Sequence, residues 1–157
     1  MAQEGIRLGT SVGYALKRAA TALRVAMEDA LAPLGLSVTQ YSTLELLGQR
    51  PGLSASALAR GTFVTRQSMQ TVLAGLGERD LVTRPSTAPH GRTLPTRLTD
   101  DGEALRARAS DAVAGVERRM LAGLPAGGEE RLLAGLVACA DALDPATPPT
   151  ATPGPTT

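Results

Sequence analysis

Residues 54–76 read SASALARGTFVTRQSMQTVLAGL. Ser54 stands as an N-cap, its side-chain oxygen free to accept a backbone N–H, before a short helix from Ala55 to about Arg60. Gly61 to Val64 link it to a second N-cap, Thr65. Beyond that cap Met69, Val72, Leu73 and Leu76 recur at helical spacing and form one apolar stripe. The segment therefore predicts two helices joined by a tight turn, the second amphipathic.

The flanks extend this unit. Downstream, Leu81 to Arg84 and Thr93 to Leu98 are short strand candidates around the turn-rich segment Pro85 to Gly91, which predicts a hairpin. Pro95 has no N–H for a ladder, so its strand must be an edge or irregular there. Thr99 is the next N-cap, followed by Asp100 and Asp101 at the positive end of the helix dipole. The stripe Leu105, Ala109, Val113, Val116 and Met120 continues that helix. Pro125 to Gly128 interrupt it, and a last helix is expected from about Glu129 to Leu143. Upstream, Leu8, Val12, Leu16, Ala19, Leu23, Met27, Ala30 and Leu34 predict one long helix over 7–34. Ser37 with Gln40 then forms a capping box for a helix ending near Gly48.

A helix-turn-helix followed by a hairpin is a winged helix. The expected fold class is mostly α (α+β), a winged helix-turn-helix core with an all-α dimerisation region. Residues 1–36 are read as an N-terminal dimerisation helix and 37–98 as the winged helix-turn-helix core. Residues 99–144 are read as C-terminal dimerisation helices and 145–157 as a disordered Pro/Thr-rich tail. That tail has no charge and no large apolar side chain to offset its ordering entropy. The outer helices carry apolar stripes that one small winged helix cannot cover, so a homodimer is expected.

Composition excludes several function classes. In 157 residues there is one cysteine, Cys139, and one histidine, His90, too few for a zinc site within the chain. The aromatics are Tyr14, Tyr41 and Phe63, too few for a cage or a base-stacking platform. The sequence shows no nucleophile–His–acid set and no Gly-rich phosphate loop, so neither an enzyme nor a cofactor is expected. The N-terminal stretch has no apolar segment of a signal peptide. The most apolar run, Leu132 to Ala140, falls far short of the about 20 residues of a membrane span. A cytoplasmic protein with no membrane partner is the expectation.

Charge is localised. Residues 54–97 hold six arginines against Glu78 and Asp80, a net of +4, whereas the rest of the chain carries −3. A basic middle between acidic flanks suits an anionic partner, with nucleic acid first; the plainer alternative is a solvated, Arg-rich surface.

The segments Leu36-Ser37-Val38-Thr39-Gln40-Tyr41, Leu58-Ala59, Val64-Thr65-Arg66-Gln67-Ser68, Leu76, Leu81-Val82, His90-Gly91-Arg92 and Leu98-Thr99-Asp100-Asp101-Gly102 together resemble the MarR family of bacterial transcriptional regulators. The resemblance spans roughly residues 7–143 and rests on order and spacing, not on one motif. It implies a homodimeric winged-helix protein that represses a nearby promoter and releases it on binding a small, often aromatic, effector. Three positions depart from the family pattern. His90 stands where a wing Asp is usual, Asp80 where a Gly precedes the first strand, and Phe63 where a turn Gly is usual. Asp tolerates the left-handed conformation better than most residues, so the Asp80 turn can survive.

With Met69, Val72, Leu73 and Leu76 inward, Arg66, Gln67, Gln70 and Thr71 face outward. Arg suits guanine O6/N7, Gln suits adenine N6/N7, and Thr suits a thymine methyl. Thr65 and Ser68 suit phosphates. Arg92 at the hairpin tip suits a narrow minor groove, with Arg84 and Arg97 beside it. The partner is then double-stranded DNA, as a near-palindromic operator. The alternative is a winged-helix protein-interaction module, which outward Gln67, Gln70 and Arg92 argue against. Tyr14 and Tyr41 either line an effector cavity or fill core. His90 reads as a solvent-exposed wing residue, and Cys139, among Leu136, Val137, Ala138 and Ala140, as a buried and inert thiol.

Overall fold

The computed structural model describes residues 5, 7–85 and 94–144. The hairpin tip with His90 and Arg92, and the tail from Pro145, lie outside the described residues. The helices are α1 (Val12–Leu31), α2 (Val38–Gln49), α3 (Ala55–Gly61), α4 (Arg66–Glu78), α5 (Asp100–Leu121) and α6 (Gly128–Leu143). Strands β1 (Val82–Thr83) and β2 (Arg97–Leu98) lie between α4 and α5.

The caps are where the side chains demand them. The Ser37 hydroxyl accepts from Gln40 N while the Gln40 side chain accepts from Ser37 N, so the capping box of α2 is complete. Ser54 accepts from Ala57 N and Thr65 from Ser68 N. Each such cap stabilises its helix by about 1 kcal/mol. The expected single helix over 7–34 is corrected by the same chemistry. Ser11 is extended and caps α1 by accepting from Tyr14 N, which leaves Leu8–Thr10 as a separate 3-10 turn. A second 3-10 turn, Ala32–Leu34 with Pro33 in its first turn, closes the other end on left-handed Gly35.

The hairpin is shorter than the sequence suggests. β1 and β2 pair antiparallel with Val82 opposite Leu98 and Thr83 opposite Arg97. Pro95 lies outside the ladder, and Thr96 instead exchanges backbone hydrogen bonds with the turn before α3. Thr96 N donates to Leu53 O, and Gly52 N donates to Thr96 O, both at 3.0 Å. This isolated bridge adds a third, one-residue edge to the small sheet.

Among the described residues two left-handed positions carry side chains, Phe63 at φ 58° and Asp80 at φ 55°. They fall at two of the three departures from the family pattern, and each residue adopts the backbone a glycine would take there. The cost for a residue with a Cβ is about 1 kcal/mol.

The chain divides into two units, Met1–Arg118 and Arg119–Thr157. The first holds the core. Leu31, Leu44, Leu47, Leu58, Met69, Leu73, Leu76 and Ala109 are buried together, with Leu36, Leu81 and Val82 beside them. α5 enters this core at its first turn. The Thr99 hydroxyl donates to Asp80 O at 2.6 Å and accepts from Gly102 N at 3.0 Å. At Gly102 a Cβ would overlap the Leu81 carbonyl oxygen, so only glycine allows this approach. In the second unit α6 starts from left-handed Gly127 and buries only Gly128. Cys139 is exposed, which corrects the expectation of a buried thiol. Apolar neighbours along a helix mark a face; they do not by themselves cover it.

Candidate nucleic-acid interface

The α4 helix divides its two faces cleanly. Met69, Leu73 and Leu76 are buried, and Val72 packs partly against them. Thr65, Arg66, Gln67, Ser68, Gln70 and Thr71 are all exposed. The sequence-derived reading set is thus brought onto one continuous surface around the first two turns of the helix. The Thr65 hydroxyl also donates to Ser68 Oγ at 2.9 Å, so the two hydroxyls form one preorganised pair at the helix start. No acidic residue occupies that first turn.

The hairpin base joins this surface. Arg84 Nη1 donates to Gln70 Oε1 at 3.3 Å, which fixes the orientation of the Gln70 amide. Arg84, expected beside the hairpin, is half-buried against α4. Its Nε is buried and has no hydrogen-bond partner among the described residues. Arg84, Arg66 and Gln70 line a cavity of about 300 Å³ with Ser54, Ala55, Ser56 and Leu94. Two guanidinium groups and two serines around one cavity suit an anionic oxygen. Arg97 is exposed on β2, with its guanidinium against left-handed Gly52. Arg79 serves the fold instead: its Nη1 donates to Gly35 O at 2.7 Å.

Tyr14 and Tyr41 are not joined by a hydrogen bond and have different surroundings. Tyr14 is 43% exposed near the start of α1. Tyr41 is part-buried on α2, beside Ser110 and Glu45. Burial, with Glu45 nearby, pushes its hydroxyl above the ordinary tyrosine value. The same α2–α5 seam holds a charged cluster. Arg106 Nη1 reaches Glu45 Oε2 at 3.0 Å and Nη2 reaches Glu103 Oε1 at 2.6 Å. Gln49 and Ser110 also donate to Glu45. Burial pushes the Glu45 carboxyl up, but the hydrogen bonds from Ser110, Gln49 and Arg106 outweigh it and hold it below the ordinary carboxylate value. The Arg106 side chain crosses α2 where Gly48 leaves room; a Cβ there would collide with its Cδ.

Sequence reasoning missed the serines and Leu94 around the Arg84 cavity, and the Arg84–Gln70 bond. Neither has a local signal, because Gln70 and Arg84 meet across the turn between α4 and β1. Among the described residues no group of three or more His, Cys, Asp and Glu is placed to hold a metal ion. No described helix is long and apolar enough to cross a membrane.

A family model described as MarR family matches residues 34–93. The HTH-type transcriptional repressor Rv2887 of Mycobacterium tuberculosis strain H37Rv is 42% identical over 122 residues, covering 78% of this chain and 88% of the relative. The solved complex of Rv2887 with DNA superposes with a TM-score of 0.71 at 37% identity, covering 83% of this chain and 98% of that one. The repressor CouR bound to a 23-mer DNA duplex superposes with a TM-score of 0.78 at 31% identity, covering 89% and 99%. Rv2887 is also solved with salicylic acid, and CouR with p-coumaroyl-CoA.

Proposed function

Because this chain belongs to the MarR family of transcriptional regulators, we propose that it is a sequence-specific DNA-binding repressor, released by a small-molecule effector. One observation carries the reading: the apolar stripe of α4 is buried and every polar residue around its first two turns faces outward. Arg66, Gln67, Gln70 and Thr71 meet base edges in the major groove, and Thr65 with Ser68 holds a phosphate. The Arg84 guanidinium, beside Arg66 on the cavity, takes a second backbone phosphate, and Arg84 orients Gln70 for readout. Arg97 and, from the sequence reading, Arg92 approach the adjacent minor groove.

Two copies are needed. α1 buries only Leu31 and α6 only Gly128, while Val12, Leu16, Val25, Leu132, Leu133, Leu136 and Val137 stay exposed. A two-fold dimer over residues 1–36 and 99–144 covers them and sets two α4 helices about 34–36 Å apart, on a near-palindrome. The relatives solved with DNA and with small aromatic ligands support both halves of the reading. Tyr41, in the α2–α5 seam, and Tyr14 are the candidate effector contacts. The protein acts in the cytoplasm and carries out no reaction of its own.

The test is a gel-shift titration on the duplex upstream of its own coding region, repeated at several salt concentrations. Log K should fall with log salt by about 0.9 per neutralised phosphate, with several phosphates per subunit. A flat salt response, or no shift, would count against the reading.

A further inference from the structure

Phe63 presents a contradiction that the family reading leaves unexplained. It is the chain's one phenylalanine, and the residue is 95% exposed. It also sits at φ 58°, in a conformation that bulky side chains rarely adopt. Its backbone is held there: Phe63 N donates to Arg60 O and Val64 N to Ala59 O, closing the end of α3. Glycine would satisfy the turn better and would expose no ring to water. The ring therefore adds nothing to the folded subunit by itself.

Its position supplies the reason for keeping it. Phe63 stands two residues before the N-cap Thr65, and the exposed residues that follow are Arg66, Gln67 and Ser68. An exposed apolar ring this near the start of α4 stands where a ligand of that polar surface would reach it. We propose that Phe63 is a DNA-contacting residue, which buries its ring on apolar surface of the duplex at the edge of the groove entered by α4. This rests on the reading of α4 as the DNA-binding helix. A duplex offers two such surfaces at a groove edge, the deoxyribose face and the thymine 5-methyl group. An apolar contact displaces water, not counterions, so it adds affinity without adding salt dependence.

The experiment uses the full-length dimer and the duplex that the wild-type chain selects from a random-sequence library. Phe63→Gly and Phe63→Ala are expected to weaken binding about tenfold, the size of one partly buried aromatic face, with Phe63→Leu between them and wild type. The salt slope should stay at the wild-type value in all three, whereas Arg84→Ala, at the residue given a backbone phosphate, should lower it by about one. Phe63→Gly should melt at or above the wild-type temperature, which separates lost contact from lost fold. A probe with uracil in place of thymine assigns the surface: if the Phe63→Ala effect vanishes the methyl is the partner, and if it persists the sugar is. Wild-type affinity in both the Gly and Ala variants overturns the inference while leaving the α4 reading intact. Failure of the wild type to select any duplex overturns both.

Discussion

Helices α4 and α6 carry the same kind of signal and reach different ends. Each has leucines at helical spacing along one face. In α4 that face is sealed, with Met69, Leu73 and Leu76 at 2% exposure or less. In α6 the corresponding face is open, with Leu133 at 64% and Val137 at 50%. The difference is the covering partner. α4 has α2, α3 and β1 inside its own unit to pack against, and its free surface is left for polar contacts. The open face of α6 is the feature a second copy is proposed to close. A periodic stripe thus says which side of a helix is apolar and nothing about whether the subunit itself supplies the cover.

The strongest way to break this contrast is to delete residues 128–157. Every base-reading residue remains, yet the chain should become monomeric or aggregate and lose about 100-fold or more in operator affinity, since linked half-site binding is lost. Sedimentation and footprinting decide it; a folded monomer protecting a full palindrome at wild-type affinity would sink the dimer argument. Next in size are paired leucine substitutions. Leu73→Ala should cost about 2–5 kcal/mol in urea unfolding, because the site is sealed. Leu133→Ala should act through assembly, lowering the melting temperature most at low protein concentration. A concentration-independent change within about 0.5 kcal/mol, the surface norm, would mean that nothing covers α6.

The polar face of α4 predicts a smaller, more selective loss. Gln67→Ala should remove about 1–3 kcal/mol of discrimination between operator and scrambled DNA while sparing non-specific affinity. Competition binding reads this directly, and an unchanged preference would place recognition elsewhere. The smallest effect concerns the α2–α5 seam. Glu45 has a lower carboxyl pKa folded than unfolded, so its contribution is present above the unfolded value and is lost as pH falls through the folded one. Glu45→Gln should destabilise the protein at neutral pH and flatten the acid limb of its stability profile below about pH 4.3. Parallel acid limbs for the two proteins would show that the Ser110, Gln49 and Arg106 bonds do not distinguish the ionised form.

Local chemistry made much of this legible. Caps at Ser37, Ser54, Thr65 and Thr99 are set by residues within three positions of one another, and all four form as the sequence suggests. The outward set on α4 follows from period alone. Ser11 was legible too, as a hydroxyl before an apolar run, but the apolar periodicity runs through it from Leu8 and hides the break. What stayed hidden is non-local. The Leu53–Thr96 bridge involves one residue on each side, and the Arg84–Gln70 bond joins two elements across a turn. Cys139 was misplaced for the reason that separates α6 from α4: neighbours in sequence do not reveal the cover.

The junction at Thr99 and Gly102 explains why a five-letter word, Leu98-Thr99-Asp100-Asp101-Gly102, is recognisable at all. One hydroxyl bonds both backwards to the Asp80 carbonyl and forwards to the Gly102 amide. A carbonyl then occupies the space where residue 102 would put its first carbon. Serine preserves the first arrangement and valine, the nearest shape, abolishes it; nothing but glycine preserves the second. What the fold tolerates at these two positions is thus set by a hydrogen-bond donor and a gap. The neighbouring Asp100 and Asp101 are both exposed, so substitution there is constrained by the helix start and not by packing.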